Sequence, residues 1–167
     1  MGKPLAPLHG PPPLEPFGLV LHHDGRWSHE GQPILNDKLR RHFERSVKFL
    51  PEEGDAGKYV VTLKHFRGEI VLEEAGFFVI SVDLERGRVA LSDGSEDELD
   101  VGSLRSSPID SALLCKVKRD LLPEGLDARF MHAAQAELLG AVEPNGGGFG
   151  VRIGEELRSL PVLAGSD

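Results

Sequence analysis

An order of secondary-structure signals that runs twice along the chain constrains its architecture more than any other feature. Residues 19–72 read as strand, turn, strand, helix, Pro/Gly loop and hairpin, and residues 113–163 return to that order. The expected fold is α+β: two lobes of a repeated strand-strand-helix-hairpin motif with mostly antiparallel sheets. Any α+β lobe can use this order, and the halves share little residue identity, so duplication and coincidence both stay open. A true duplication would pack each unit's apolar face on its twin and leave a pseudo-two-fold groove between lobes.

The first motif opens on a hairpin signal. Leu19-Val20-Leu21-His22-His23 is followed by Asp24-Gly25 and then Arg26-Trp27-Ser28-His29. Asp-Gly suits a type I′ turn, in which both central residues take positive φ. A two-residue turn sets His23 against Arg26, His22 against Trp27 and Val20 against His29. Val20, His22, Trp27 and His29 then share one face. Asn36 or Asp37 caps the helix that follows. Leu35, Leu39, Phe43, Val47 and Leu50 supply its apolar stripe, and residues 51–57 end it. Residues 59–63 read as a strand, turned at Arg67-Gly68 into residues 69–72.

Residues 77–82 and 88–91 form a hairpin across Glu85-Arg86-Gly87. Residues 93–100 read as an acidic loop, and residues 103–108 as a seam between lobes. Strands at 112–117 and 126–130 come next, then a helix marked by Met131, Leu138, Ala141 and Val142. Pro144-Asn145-Gly146-Gly147-Gly148 breaks that helix before a closing hairpin at 149–153 and 157–162. The expected division is a Pro-rich disordered tail (1–16, with six prolines), an N-terminal lobe (17–102) and a C-terminal lobe (103–165).

Composition excludes more than it identifies. A formal charge of −8 argues against sequence-independent nucleic-acid binding, which needs Lys and Arg to neutralise phosphates. It also disfavours an anionic membrane surface. No stretch approaches the roughly 20 apolar residues of a membrane span. The N-terminus lacks a secretory apolar segment, and Ala6 stands where a myristoylation pattern needs Ser or Thr. Cytoplasm is the expected compartment. Cys115, the sole cysteine, lies in an apolar run where a small hydrophobe is expected rather than a catalytic thiolate.

The first hairpin holds the candidate binding residues: Arg26, Trp27 and His29 place a planar cation and an imidazole beside an amphipathic aromatic. The competing reading makes Trp27 a core anchor. His22 and His29, as diagonal neighbours, supply two of the ligands a metal needs, with Glu30, His42 or His65 as a third. This is the alternative of a small metal-dependent hydrolase; surface or half-buried histidines are the plainer reading. The acidic segment lacks the EF-hand order and reads as a solvated loop. Glu73-Glu74 point to opposite faces of a strand and make no acid/base pair. The Gly146-Gly147-Gly148-Phe149-Gly150 run follows a helix and opens a strand, the reverse of a phosphate-binding loop. No catalytic residue and no cofactor is expected.

The residues Asp24-Gly25-Arg26-Trp27, Glu30-Gly31-Gln32-Pro33-Ile34 and the helix reaching Phe43 resemble a bacterial family, domain of unknown function 1285. The resemblance continues through Tyr59-Val60-Val61-Thr62 and through Ile70-Val71-Leu72-Glu73-Glu74-Ala75-Gly76-Phe77. A weaker echo follows at residues 114–117 and at Leu126-Asp127-Ala128-Arg129. The chain departs from the family pattern at Ser28-His29, at Gly76 and in the longer loop of residues 118–124. UPF0598-like proteins share a similar rhythm. The resemblance implies an α+β fold of two repeated motifs, a role proposed in signalling and no catalytic residues. It adds weight to the duplication. The expectation is a non-enzymatic binding or interaction module for an unknown protein or small molecule.

Overall fold

The computed structural model of the protein describes residues 14–63 and 66–163. The chain divides into two compact units between Glu73 and Glu74.

In the first unit, β1 (Leu14–Leu21), β2 (Trp27–His29) and β3 (Gln32–Pro33) precede helix α1 (Asp37–Ser46). Then come β4 (Lys48–Leu50), β5 (Lys58–Leu63) and β6 (Phe66–Leu72). They form one six-stranded sheet in the order β3-β2-β1-β6-β5-β4. The chain leaves the centre along β1, crosses to the far edge through α1 and returns along β6. The two central strands therefore run parallel, with Leu19 beside Ile70 and Leu21 beside Leu72. The other neighbours are antiparallel.

Helix α1 starts where the capping signal places it: Asn36 Oδ1 accepts the Leu39 N–H at 2.9 Å. Asp37 in the first turn and Arg45 in the last complement the helix dipole. The helix stops earlier than its stripe suggests. Val47 is already extended, and Lys48-Phe49-Leu50 pairs with β5. Val47 and Phe49 are buried around an exposed Lys48, a period of two that overrides the helical one.

The expected turn at Arg67-Gly68 is also displaced. Pairing runs on through Thr62↔Arg67 to Leu63↔Phe66, so both residues lie inside β6. Gly68 is where the ring of Phe17 lies across the strand; a Cβ there would sit 1.9 Å from Phe17 Cδ2. Phe17 reaches it because β1 bulges between Pro16 and Leu19, with Gly18 at φ 68°. Leu14, Glu15 and Pro16 pair with Arg67, Gly68 and Glu69, so the last residues assigned to the tail are sheet. Residues 1–13 lie outside the described residues.

The second unit begins with β7 (Phe77–Asp83), β8 (Arg88–Leu91) and β9 (Glu96–Glu98). After a single 3-10 turn (Val101–Ser103) come β10 (Arg105–Ser106), β11 (Leu113–Val117) and β12 (Leu126–Phe130). These build a six-stranded sheet in the order β10-β11-β12-β7-β8-β9, again with a parallel central pair, β12 and β7. Helix α2 (His132–Leu139) leads to a three-stranded antiparallel sheet of β13 (Val142–Asn145), β14 (Gly148–Ile153) and β15 (Glu156–Ser159). Pro144 and Asn145 are strand, not helix breaker; α2 ends at Gly140, and Gly146-Gly147 form the tip of the β13–β14 hairpin.

Read from opposite edges, the two large sheets have one topology: β3-β2-β1-β6-β5-β4 and β9-β8-β7-β12-β11-β10. The recurrence expected between residues 19–72 and 113–163 is not this one. The second sheet starts at Phe77, and residues 113–163 take two strands from it and add α2 and the small sheet. A seam at residue 102 is corrected for the same reason, because β12 hydrogen-bonds to β7. The fold class is α+β, rich in strand, with mixed sheets.

Candidate functional site

The first hairpin closes differently from a two-residue turn. Gly25 is left-handed (φ 91°) but Asp24 is not, so no type I′ turn forms. Asp24 instead accepts the Arg26 backbone N–H (3.2 Å) and its Nε (2.7 Å), and the His22 N–H donates to the Arg26 carbonyl at 2.8 Å. The register becomes Leu21↔Trp27, Val20↔Ser28 and Leu19↔His29. This one-residue slip turns the faces over. Leu19, Leu21, Trp27 and His29 share one face; Val20, His22 and Ser28 share the other.

The candidate residues separate accordingly. Trp27 is 2% exposed and packs on Phe43 of α1. Arg26 is exposed and bound to Asp24. That pairing and the Arg26 N–H outweigh the upward pull of burial and hold the Asp24 acid below its ordinary value. His29 is exposed, with Nε2 3.9 Å from Glu30 Oε2. His22 and His29 lie on opposite faces, so the geometry that made them diagonal metal ligands is absent. His42 Nε2 contacts the Thr62 carbonyl at 3.2 Å, and His65 lies outside the described residues. Among the described residues, no three metal-ligating side chains are gathered into one group.

The Trp27 face carries a cavity. Phe17, Leu19, His29, Ile34, Leu39 and Phe43 line an open pocket of about 310 Å³ between β1–β2 and the start of α1. Local sequence builds it. Glu30 (φ 49°) and Gly31 (φ 85°) make the β2–β3 turn, with His29 opposite Gln32. Glu30 donates its N–H to the Gly18 carbonyl at 2.9 Å and lays its side chain over the β1 bulge. The Ile34 N–H donates to the Trp27 carbonyl at 2.9 Å, which brings Ile34 alongside before α1 begins. Leu39 and Phe43, one helical turn apart, form the pocket wall on the α1 side. His29 is the only ionisable side chain among the lining residues, and Leu35, next to Ile34, is 78% exposed. Trp27 and His29 drew attention in the sequence; Phe17, Leu19 and Ile34 did not, because only the bulge and the second turn bring them together.

Other candidates resolve into structure. Burial, reinforced by Asp100, Asp97 and Asp127, pushes the Cys115 thiol up to about 12, which removes it as a nucleophile. The acidic segment is tied down rather than merely solvated. Asp93 pairs with Lys118 (2.8 Å), Asp97 accepts the Lys118 N–H (2.6 Å) and Asp100 pairs with Arg119 (2.6 Å). Glu73 accepts from His23, while Glu74 pairs with the buried Arg129 at 3.0 Å and accepts from Ser107 at 2.5 Å. Neither the Arg129 network nor the contact of His22 with Ser28 has a local sequence signal.

No protein-family model matches the chain, and no curated protein matches it in sequence. Among solved structures, a DUF1285 family protein from Silicibacter pomeroyi DSS-3 aligns over 96% of this chain and 89% of its own, with a TM-score of 0.61 at 19% identity. The chain has the fold of a DUF1285 protein. A second DUF1285 family protein, from Shewanella baltica OS155, aligns over 74% of this chain and 91% of its own, with a TM-score of 0.48 at 14% identity. The resemblance read from the first hairpin onward and the likeness in fold thus point to the same family. No helix among the described residues is long and apolar enough to cross a membrane.

Proposed function

We propose that the chain is a distant DUF1285 protein and acts as a binding module for a small apolar molecule held in the open pocket beside α1. The family reading rests on likeness of fold across nearly the whole chain together with the sequence resemblance. The cavity bounded by Phe17, Leu19, His29, Ile34, Leu39 and Phe43 carries the functional reading. Its volume of about 310 Å³ lies at the small end of the range for small-molecule pockets. Carbon atoms line nearly all of it, with one imidazole at hand to orient a polar atom of the ligand. A regulatory role in a bacterial cell is the use such a module would serve. Trp27 contributes as the floor that holds β2 against α1, not as a contact surface. The rival of a metal-dependent hydrolase on His22, His29 and Glu30 has lost its shared face.

Indole is a suitable probe, titrated while backbone amide resonances are followed by NMR. The expected result is saturable shifts at Leu19, Ile34, Leu39 and Phe43, abolished in a folded Leu39→Trp protein whose new side chain fills the space. Shifts that never saturate, or that persist in Leu39→Trp, would overturn the reading.

A further inference from the structure

A second constellation lies on the face of the first sheet opposite the cavity. Ser28 Oγ is 2.9 Å from His22 Nε2. The other ring nitrogen, Nδ1, is 3.7 Å from Glu73 Oε1. Hydroxyl, imidazole and carboxylate thus follow one another in the order an activated serine needs, with a base in reach of the nucleophile and a third group behind the base.

The backbone holds each member. Ser28 is the middle residue of β2, paired with Val20 on one side and Pro33 on the other. Glu73 extends the parallel pairing by one residue, its N–H donating to the Leu21 carbonyl at 2.9 Å. The Glu73 carboxylate accepts the His23 backbone N–H at 2.7 Å and lies 2.6 Å from His23 Nδ1. Those two contacts, the backbone one first, hold its acid below the ordinary glutamate value and keep it ionised at neutral pH. A fixed anion behind His22 favours the imidazolium formed when the ring takes a proton from Ser28. At 3.7 Å the carboxylate lies beyond hydrogen-bond distance of His22 Nδ1 and acts on the ring as a nearby charge. Val20 and Val71, paired across β1 and β6, share this face, and Val71 is 61% exposed, an apolar ledge for a short acyl chain. Ser28 and His22 are half-buried and open to solvent.

We infer that Ser28 is a reactive serine that accepts the acyl group of a small activated carboxylic ester, with His22 as its base and Glu73 positioning that base. Ser28 Oγ bonds to the carbonyl carbon while its proton passes to His22 Nε2. The bond from that carbon to the alcohol oxygen breaks, and the alcohol leaves with the proton from His22. Water then attacks the acyl-serine by the same route, giving up a proton through His22, and releases the carboxylic acid with Ser28 restored. No cofactor enters the balance.

The full chain is mixed with p-nitrophenyl butyrate, p-nitrophenolate release is followed, and the quenched protein is mapped by peptide mass spectrometry. The expected outcome is a burst of about one equivalent with butyryl on Ser28. Ser28→Ala, which removes a single hydroxyl from a half-buried position, abolishes the burst while its circular dichroism is unchanged. His22→Gln slows acylation at least 100-fold. Glu73→Gln slows it about tenfold without changing the ester concentration at half-saturation, a split that a loss of folding or binding would not give. Absence of a burst, a burst that survives Ser28→Ala, or butyryl found on another residue overturns the inference.

Discussion

The rings of Trp27 and Phe43 meet with centroids 5.4 Å apart and planes tilted by 43°, joining the first hairpin to α1 through an aromatic pair. Both are buried, and Phe43 also lines the cavity, so the contact supports the candidate site as well as the core. Trp27→Ala should destabilise the protein by about 3–5 kcal/mol, the usual cost of removing a large buried aromatic. Arg26→Ala, next to it but exposed, should stay within about 0.5 kcal/mol. Urea denaturation of the two variants checks the contrast. A Trp27→Ala protein as stable as the parent would restore the indole to the role of an exposed recognition surface.

Gly68 lies under the Phe17 ring, and a Cβ there would meet three of its carbons between 1.9 and 2.4 Å. Gly68→Ala must therefore displace the ring and open the β1 bulge, at a cost of about 1–3 kcal/mol by analogy with overpacked cores. Because Phe17 also lines the cavity, indole affinity should fall in the same variant. Combining Gly68→Ala with Phe17→Leu should recover part of the stability. If thermal melting shows Gly68→Ala unchanged, the ring does not hold that position in solution.

Local signals were legible where a side chain acts on its own backbone. Asn36 announces the start of α1, and Asn145-Gly146-Gly147-Gly148 marks a reversal even though the residues before it are strand. The site was illegible because it depends on a register that the local code leaves undecided. Asp-Gly at 24–25 signals a turn, but Asp24 binds Arg26 rather than taking positive φ, and this one-residue difference puts Leu21 in place of His22 opposite Trp27. That exchange separates the two histidines expected to share a metal and brings His22 to Ser28. The parallel pairs β1–β6 and β7–β12 are non-local, so residues 19–72 look like half of a different repeat until both sheets are traced. The acidic run conceals β9 because its carboxylates are neutralised by Lys118 and Arg119, more than fifteen residues away in sequence.

Arg129 is 8% exposed and holds two carboxylates at once, Glu74 at 3.0 Å and Asp110 at 2.5 Å. Glu74 in turn accepts from Ser107, itself buried. Removing the cation leaves the Glu74 side chain, only 9% exposed, without its counter-charge, so Arg129→Met should cost about 3–5 kcal/mol. Adding Glu74→Leu to Arg129→Met should return much of that, since replacing both partners by apolar groups removes the orphaned charge. A double-mutant cycle in guanidinium chloride reads the coupling. Equal instability of the single and double variants would mean the network is not the source of the loss.

Lys118 sits in a left-handed backbone conformation (φ 55°) with Nζ 2.8 Å from Asp93 and 4.8 Å from the Phe77 ring centroid. Burial of Asp93 pulls its acid upward, but Lys118 and the Ser95 hydroxyl and N–H outweigh that and hold it below the 3.8 of an unperturbed aspartate. The folded pKa is therefore the lower one, and the unfolded chain takes up the proton first. The stabilisation from this pair is fully present above the unfolded value of 3.8 and is lost as pH falls through the folded value. Asp93→Asn lacks the contribution at every pH, so it should be less stable than the parent at pH 7 and approach it in acid. Urea midpoints at pH 7, 5, 4 and 3 for both proteins give the comparison, and the other depressed carboxylates, Asp24, Glu73, Asp127 and Glu143, cancel because both carry them. Parallel curves across that range would show that Lys118 does not stabilise the Asp93 anion; convergence below pH 4 is the expected result.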